Sequence, residues 1–305
     1  MNKEKRDNIK ARVLQRYELY KLQNSRIRRV LRDPLRTIPF FALAYIAYKH
    51  PFKVTYKTFW GDKMRFYLPE GNTIYYYGFF EANLTNFFLN ILNEDDIFFD
   101  VGAHVGYYTV LGSALVGDNG QVHSFEPTPR TYETLATNAS SKKNITVNNL
   151  GALDKESEIE FVDYGPKYSI FNTFNARNNT EVSFLGSPKV FQVKTITLDT
   201  YCKEKAVSPD LIKIDAEGVE FLILQGFMDT LRSKKPVVTI EVGGDEEWKE
   251  NCSKSIHLLE DLGYIAYEIT IEGFLKKHEQ QESYSYDNLA FIHPEKSEKY
   301  KNYIK

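Results

Sequence analysis

Four acids close four short apolar runs. Asp100 follows Ile97-Phe98-Phe99, Glu126 follows Val122-His123-Ser124-Phe125, Asp215 follows Leu211-Ile212-Lys213-Ile214, and Glu241 follows Val237-Val238-Thr239-Ile240. Runs of this composition read as strands of a parallel sheet covered on both faces. The carboxylates are then expected to converge outside the carboxyl ends of the strands, where open α/β sheets bind ligands. Burial of such acids without partners is costly, so a ligand, a cation or hydrogen-bond donors must answer them. Directly after Asp100 comes Val101-Gly102-Ala103-His104-Val105-Gly106, a turn in which Gly102 and Gly106 let backbone and ligand approach closely.

The spacing of that turn is Gly-x-x-x-Gly, without the Gly-x-Gly-x-x-Gly fingerprint that seats a dinucleotide pyrophosphate on backbone amides. A loop with a carboxylate and neither Lys nor Arg suits a cationic group, such as the sulfonium and ammonium of S-adenosylmethionine, better than a phosphate. Glu126, ending the second strand, is placed to accept both ribose hydroxyls of an adenosine ligand. That role leaves adenosylmethionine and NAD both open.

The elements that must position these residues alternate regularly. After the Ile97 strand, Val105 to Val116 suits a helix, Gln121 to Glu126 a second strand, Thr128-Pro129 an N-cap and first helical position for a helix to about Ser140, and Asn144 to Leu150 a third strand. Strand and helix in alternation predict right-handed βαβ units. Glu158 to Asp163 reads as a strand. Tyr164 to Pro188, rich in Asn, Ser, Gly and Thr, has no strong period and is a candidate substrate-contacting lid. The pattern resumes with Val190 to Leu198, a helix near Asp199 to Lys205 and the Leu211 strand. Helix Gly218 to Leu231, strand Val237 to Val242, helix Trp248 to Leu262 and strands near Tyr264 to Ile271 and Asn288 to His293 follow.

With 305 residues, 42% hydrophobic and 26% charged, the chain can bury a substantial α/β core. Its net charge of -2 conceals an asymmetry, because residues 1 to 37 carry 12 Lys+Arg against 4 Asp+Glu and the rest is correspondingly acidic. Cys202 and Cys252 form no Cys-x-x-Cys pair, so neither a disulfide framework nor a zinc signature is present and a reducing cytoplasmic compartment is expected. The apolar run Ile38 to Tyr48 is interrupted by Pro39 and is too short to span a bilayer.

Two units are expected. Residues 1–73 form a basic N-terminal extension, in which Ile9, Val13, Tyr17 and Tyr20 mark an amphipathic helix and Val54 to Leu68 a hairpin turning on Gly61-Asp62. The helix is expected to pack on its own domain or a second subunit. The competing expectation is that residues 1–48, with Arg26, Arg28, Arg29, Arg32 and Arg36, rest peripherally on an anionic membrane at its inner face. Nothing else supports nucleic-acid binding. Residues 74–305 form the main domain, entered by an aromatic segment Ile74 to Glu81 and a helix carrying Leu84, Phe87, Phe88, Ile91 and Leu92 on one face.

The blocks Asp100-Val101-Gly102-Ala103-His104-Val105-Gly106-Tyr107-Tyr108-Thr109, Phe125-Glu126-Pro127, Thr197-Leu198-Asp199 and Ile212-Lys213-Ile214-Asp215-Ala216-Glu217-Gly218-Val219-Glu220, with Leu224 and Gly226, resemble the FkbM family of adenosylmethionine-dependent methyltransferases. The resemblance runs from about Gly78 to Glu241. It implies a class I methyltransferase fold, Rossmann-like and doubly wound, with a mostly parallel seven-stranded sheet behind the N-terminal helical and hairpin extension. It also implies methyl transfer to a hydroxyl of a saccharide, glycan or other natural product. Carried over residue by residue, Gly102, His104 and Gly106 would hold the methionine part of the cofactor, with Asp100 near its amino group. Glu126 would bind the ribose and Asn149 to Ala152, including Gly151, would border the adenine. Glu81, Ala103, Pro127 and Asp215 complete the expected cofactor contacts. His104 stands where the family often has Asn.

An alcohol attacking a methyl group needs a base, or a metal that acidifies it. Asp215 is the first candidate for base or substrate positioner and Glu217 the second. Glu217 and Glu220 also suit the start of the following helix, where acids are favourable. Asp215, Glu217 and Glu241 are a candidate set for a hard cation such as Mg2+. Of the histidines, only His104 falls at the site. No Asn/Asp-Pro-Pro-Tyr segment follows the Leu211 strand and neither cysteine follows a proline, so oxygen is the expected acceptor. The rival readings are an NAD-dependent oxidoreductase and a non-catalytic nucleoside-binding module.

Overall fold

The computed structural model describes residues 1–168, 189–243, 246–279 and 287–305, so the greater part of the expected lid lies outside the described residues. The chain opens with three helices, α1 (Lys3–Tyr20), α2 (Arg26–Arg32) and α3 (Pro34–Lys49), then the hairpin β1 (Phe52–Lys57) and β2 (Lys63–Leu68), and helices α4 (Asn72–Tyr77) and α5 (Ala82–Ile91). The alternating body follows as β3 (Ile97–Val101), α6 (Tyr107–Val116), β4 (Gln121–Phe125), α7 (Pro129–Ala139), β5 (Ile145–Asn148), β6 (Gly151–Ala152), β7 (Ser157–Asp163), β8 (Lys189–Ile196), α8 (Leu198–Lys205) and β9 (Leu211–Ile214). It closes with α9 (Glu220–Gln225), α10 (Met228–Lys234), β10 (Val237–Val242), α11 (Glu246–Asp261), β11 (Ile265–Ile269), β12 (Leu275–Lys277), β13 (Asp287–Ile292) and α12 (Pro294–Tyr300).

The main sheet runs β12-β11-β13-β10-β9-β3-β4-β5. Neighbours from β10 to β5 pair in parallel, whereas β13, β11 and β12 add antiparallel pairs at the other edge. The sheet is therefore doubly wound and mostly parallel as expected, but it has eight strands rather than seven. The extra strand, β12, is three residues long, pairs with β11 and makes a single bridge from Leu275 to Ile304. Two smaller sheets stand apart, the β1-β2 hairpin and a β6-β8-β7 sheet.

Side-chain alternation sorts the core into two layers. Phe98, Leu211 and Val237 face a cluster with α1, α5 and α6, while Phe99, Val101, Ile212, Ile214, Val238 and Ile240 face one built with α8 to α11. The helix expected over Gly218 to Leu231 is broken into α9 and α10. At the break, a Cβ on Gly226 would lie 2.1 Å from the Leu153 carbonyl oxygen, and Asp199 caps the second piece by accepting from the Thr230 amide at 2.9 Å.

The N-terminal helices pack on this body. Ile9, Val13 and Leu19 of α1 are buried, and Arg6 donates to the carbonyls of Leu89 in α5 and of Leu92 just beyond it. Arg36 donates to the carbonyls of Tyr76 and Tyr75 at 2.6 and 3.1 Å. The run expected to be interrupted at Pro39 is helical throughout.

Candidate active site

At the carboxyl ends of the central strands lies a cleft lined from both sides by the turns after β3, β4 and β9. One wall belongs to β3, β4 and β6. After β3 the chain takes left-handed backbone at Gly102 (φ 74°), His104 (φ 51°) and Gly106 (φ 87°). A Cβ on Gly102 would fall 1.7 Å from the Asp215 carbonyl oxygen, so glycine alone lets the β3 turn lie against the turn after β9. The amides of Gly102 and Ala103 both donate to the Phe125 carbonyl at 3.0 Å, which fixes the turn to β4.

Glu126 is held by two amides, His104 N to Oε2 and Thr128 N to Oε1, each at 2.9 Å. Burial pushes its carboxyl above the ordinary range, against the pull of His104 and these donors. The Thr128 hydroxyl adds a third donor, and because a carboxylate has about four acceptor sites, capacity for a ligand remains. Pro127, Gly151 and Ala152 extend this wall. Asn149 instead braces it, donating to the carbonyls of Glu126 and Pro127 at 2.9 and 3.0 Å.

Above the turn runs a chain of charges. His104 Nε2 lies 3.2 Å from Glu70 Oε1, Arg130 Nη1 lies 3.0 Å from the same oxygen, and Arg130 Nε lies 3.2 Å from Asp163. Burial disfavours both charges, yet the pairing holds Glu70 below and His104 above its ordinary value. Sequence reasoning missed Glu70 and Arg130, which no local motif marks.

The opposite wall is built on charge. Register pairs Lys213 of β9 with Asp100 of β3. Lys213 Nζ lies 2.9 Å from Asp215 Oδ2 and 3.8 Å from Asp100 Oδ1, beneath the Tyr108 ring at 5.4 Å. Although burial opposes a charged lysine, Asp215, Asp100 and Glu81 raise its proton affinity above the ordinary value. Asp215 is likewise penalised by burial, but Lys213 and a hydrogen bond from Glu241 hold it below its ordinary value. Glu241, buried beside Asp215, is pushed far upward and keeps its proton. Glu81 accepts from Asn288 Nδ2 at 2.6 Å and Tyr108 Oη at 3.0 Å, and burial with the Asp215 charge pushes it up to about 7.

Of the expected contacts, Gly102, Ala103, His104, Glu126, Pro127, Gly151, Ala152, Asp215 and Glu217 line the cleft, together with Glu70 and Lys213. Four expected residues stand behind it. Asp100 is fully buried, accepts from Thr109 Oγ1 at 2.6 Å and lies 3.8 Å from Lys213 Nζ. Gly106 opens α6, where a Cβ would meet Leu135 Cδ1 at 2.6 Å, and serves the packing of α6 on α7. Glu81 and Glu241 belong to the charge cluster behind the lining. Glu220 also turns inward, accepting from the amides of Ala216 and Gly218 at 2.9 and 3.3 Å.

Glu81 (φ 44°), His104 (φ 51°) and Glu217 (φ 57°) all adopt left-handed backbone that non-glycine residues rarely take. Such strain clusters where a site demands it. A lysine inside a four-residue apolar strand, as Lys213 is in β9, is itself the signal that a buried anion stands beside it. His123 is satisfied inside β4 by Tyr201 Oη at 2.8 Å and Gln121 Oε1 at 3.1 Å.

Among the described residues, no group of three acids, histidines or cysteines is disposed to hold a metal ion. The cation answering Asp215 is Lys213 at 2.9 Å, so the Asp215, Glu217 and Glu241 set does not fit Mg2+. Adenosylmethionine fits better. Glu126 offers acceptors fixed by two amides, the glycine turn permits close approach, and Asp215 supplies an anion at the far side.

Residues 100–266 match the family model described as the methyltransferase FkbM domain. A hexuronic acid methyltransferase, AglP of Haloferax volcanii, is 27% identical over 168 residues, which span 54% of this chain and 64% of that protein, somewhat less than two thirds of its length. Solved structures with similar folds include an FkbM methyltransferase from Methylobacillus flagellatus (16% identity, 86% of this chain and 60% of that one, TM-score 0.42). Another is fibrillarin of Aeropyrum pernix with bound S-adenosylmethionine (12% identity, 70% and 76%, TM-score 0.42). With the family model matching more than half of its length, over the segment that carries both walls of the cleft, this chain belongs to the FkbM methyltransferase family.

Proposed function

We propose that the protein is an S-adenosylmethionine-dependent O-methyltransferase whose acceptor is a saccharide or glycan hydroxyl. The observation that carries this reading is the pairing of two unlike walls. One presents Glu126 with free acceptor capacity beside a glycine turn, and the other presents the ionised Asp215 at the cleft edge. When bound, the cofactor supplies an electrophilic methyl group. The chain's own task is to bring a hydroxyl in line with it and remove a proton.

Asp215 is a weak base, because Lys213 and Glu241 lower its proton affinity. In this reading it orients the cofactor and the acceptor hydroxyl through its charge. Glu217, the other cleft carboxylate of the same turn, receives the proton. The relative that acts on hexuronic acid favours a sugar acceptor. The test is a screen with methyl-labelled cofactor against uronic acids, neutral saccharides, small phenols and RNA, with Asp215→Asn as control. Label in a saccharide that disappears in the variant is expected; label in RNA, or tight NAD binding without response to adenosylmethionine, contradicts it.

A further inference from the structure

Among the described residues, the outer face of α2 and α3 leaves large apolar side chains exposed. From Ile38 to Tyr48, between its polar ends, helix α3 is apolar around its whole circumference. Its inner side buries Phe40 and Ala47, with Phe40 stacked on Tyr76 at 4.4 Å. Its outer side carries Leu35, Ile38, Ala42, Tyr45 and Ile46 at spacings of three and four residues, one continuous stripe, and Leu35 is 90% exposed. Ile27 and Leu31 of α2 prolong the patch, at 74% and 78% exposure. A helix apolar on every side is normally buried on every side. A contiguous exposed apolar patch of this kind marks an interaction surface.

Charge selects the occupant. Residues 26–57 carry eight Lys+Arg and one Asp, and that Asp33 is already engaged by Arg16 at 3.4 Å and by the start of α3. Arg26, Arg28 and Arg32 are exposed on α2, and Lys49 ends the α3 stripe above the Tyr45 ring at 4.7 Å. A second copy of the chain docked about a two-fold axis would set this positive rim against itself. An anionic bilayer meets both demands, the rim at the headgroups and the stripe among the upper acyl chains, with tyrosines at the boundary where they are favoured. No helix among the described residues is long and apolar enough to cross a membrane. The 16-residue α3, about 24 Å long at 1.5 Å per residue, suits a helix lying in the interface plane.

We propose that the α2–α3 face docks the protein on an anionic lipid surface, with Ile27, Leu31, Leu35, Ile38 and Ile46 as the inserting residues and Arg28 and Arg32 as the headgroup contacts. α1 takes no part, since its apolar side is spent on the body. The face also adjoins the cleft. Phe40 stacks against α4, whose Ile74 lines the cleft, and Lys167 beyond β7 lies 3.5 Å over the Tyr48 ring. An acceptor carried on a lipid would thus meet the enzyme at its own docking face.

Flotation of the full chain with vesicles separates the outcomes, independently of methyl transfer. Vesicles of phosphatidylcholine with about one third phosphatidylglycerol should carry the protein. Phosphatidylcholine alone should not, and about 0.5 M salt should release it. Leu31→Asp with Leu35→Asp should lower partitioning about tenfold or more, with melting temperature and adenosylmethionine binding unchanged, because both side chains are solvent-exposed. Arg28→Glu with Arg32→Glu should do the same through charge. No flotation of the wild type, or flotation unaffected by both pairs, overturns the proposal. So does a dimer in sedimentation that Leu35→Asp dissociates while vesicles remain bare, which would assign the face to a second copy.

Discussion

The two walls of the cleft solve different physical problems. The β3–β4–β6 wall is made of backbone, with glycine at the close approach, amides holding Glu126 and small residues at Gly151 and Ala152. The β9–β10 wall is made of buried charge, with Asp100, Asp215 and Glu81 gathered around the Lys213 ammonium. The first fixes shape mainly through backbone, and its one buried carboxylate, Glu126, is answered by amide donors. The second fixes a charge distribution and depends on one cation to keep it. Damage to the first should therefore appear mainly in ligand binding, and damage to the second mainly in the fold.

The sharpest break is Lys213→Met. Removing one partner of a buried ionic cluster leaves uncompensated charge and costs about 3–5 kcal/mol, so urea unfolding should show a large loss or no folded protein at all. A loss below about 1 kcal/mol, the scale of an exposed ion pair, would mean that the charged wall is not a unit. Gly102→Ala tests the junction of the walls. Its Cβ would sit 1.7 Å from the Asp215 carbonyl on a φ of 74°, and overpacking of this kind costs about 1–3 kcal/mol. Adenosylmethionine affinity should fall with it.

The smallest expected effect concerns pH. Glu81 titrates at about 7 in the fold against an ordinary 4.5. The folded chain therefore holds that proton more tightly than the unfolded one, and the associated stability is complete below about 4.5 and declines as pH rises through 7. Glu81→Gln removes the decline. Its melting temperature should exceed the wild type's at pH 8 by a few degrees and show no such gain at pH 4.5. An equal gain at both pH values would place the effect outside ionisation.

Much of this was legible in the sequence because parallel strands are marked twice, by apolar runs and by the polar residue where each run stops. Asp100, Glu126, Asp215 and Glu241 located the cleft edge by that rule alone. The rule could not say which acids face the ligand. Asp100 lies behind the cleft lining, where the register of β3 on β9 sets it beside Lys213, and register is a relation between distant segments. The same holds for Glu70 and Arg130, which meet His104 from 34 residues before and 26 residues after it. The break between α9 and α10 depends on Leu153, and β12 forms against β11 and Ile304, both distant from any local signal of its own. The split of the basic arm into a packed α1 and an exposed α2–α3 face needed the body that α1 packs on.

The central claim is that the backbone wall binds the adenosine part of S-adenosylmethionine through Glu126. Calorimetric titration of adenosylmethionine into wild type and Glu126→Gln tests it most directly. A hydrogen bond to a charged acceptor contributes about 1.5–3 kcal/mol, so affinity should fall roughly ten- to hundredfold while NAD gives no heat with either protein. Equal adenosylmethionine affinity in both, or NAD binding lost with the same substitution, would contradict it.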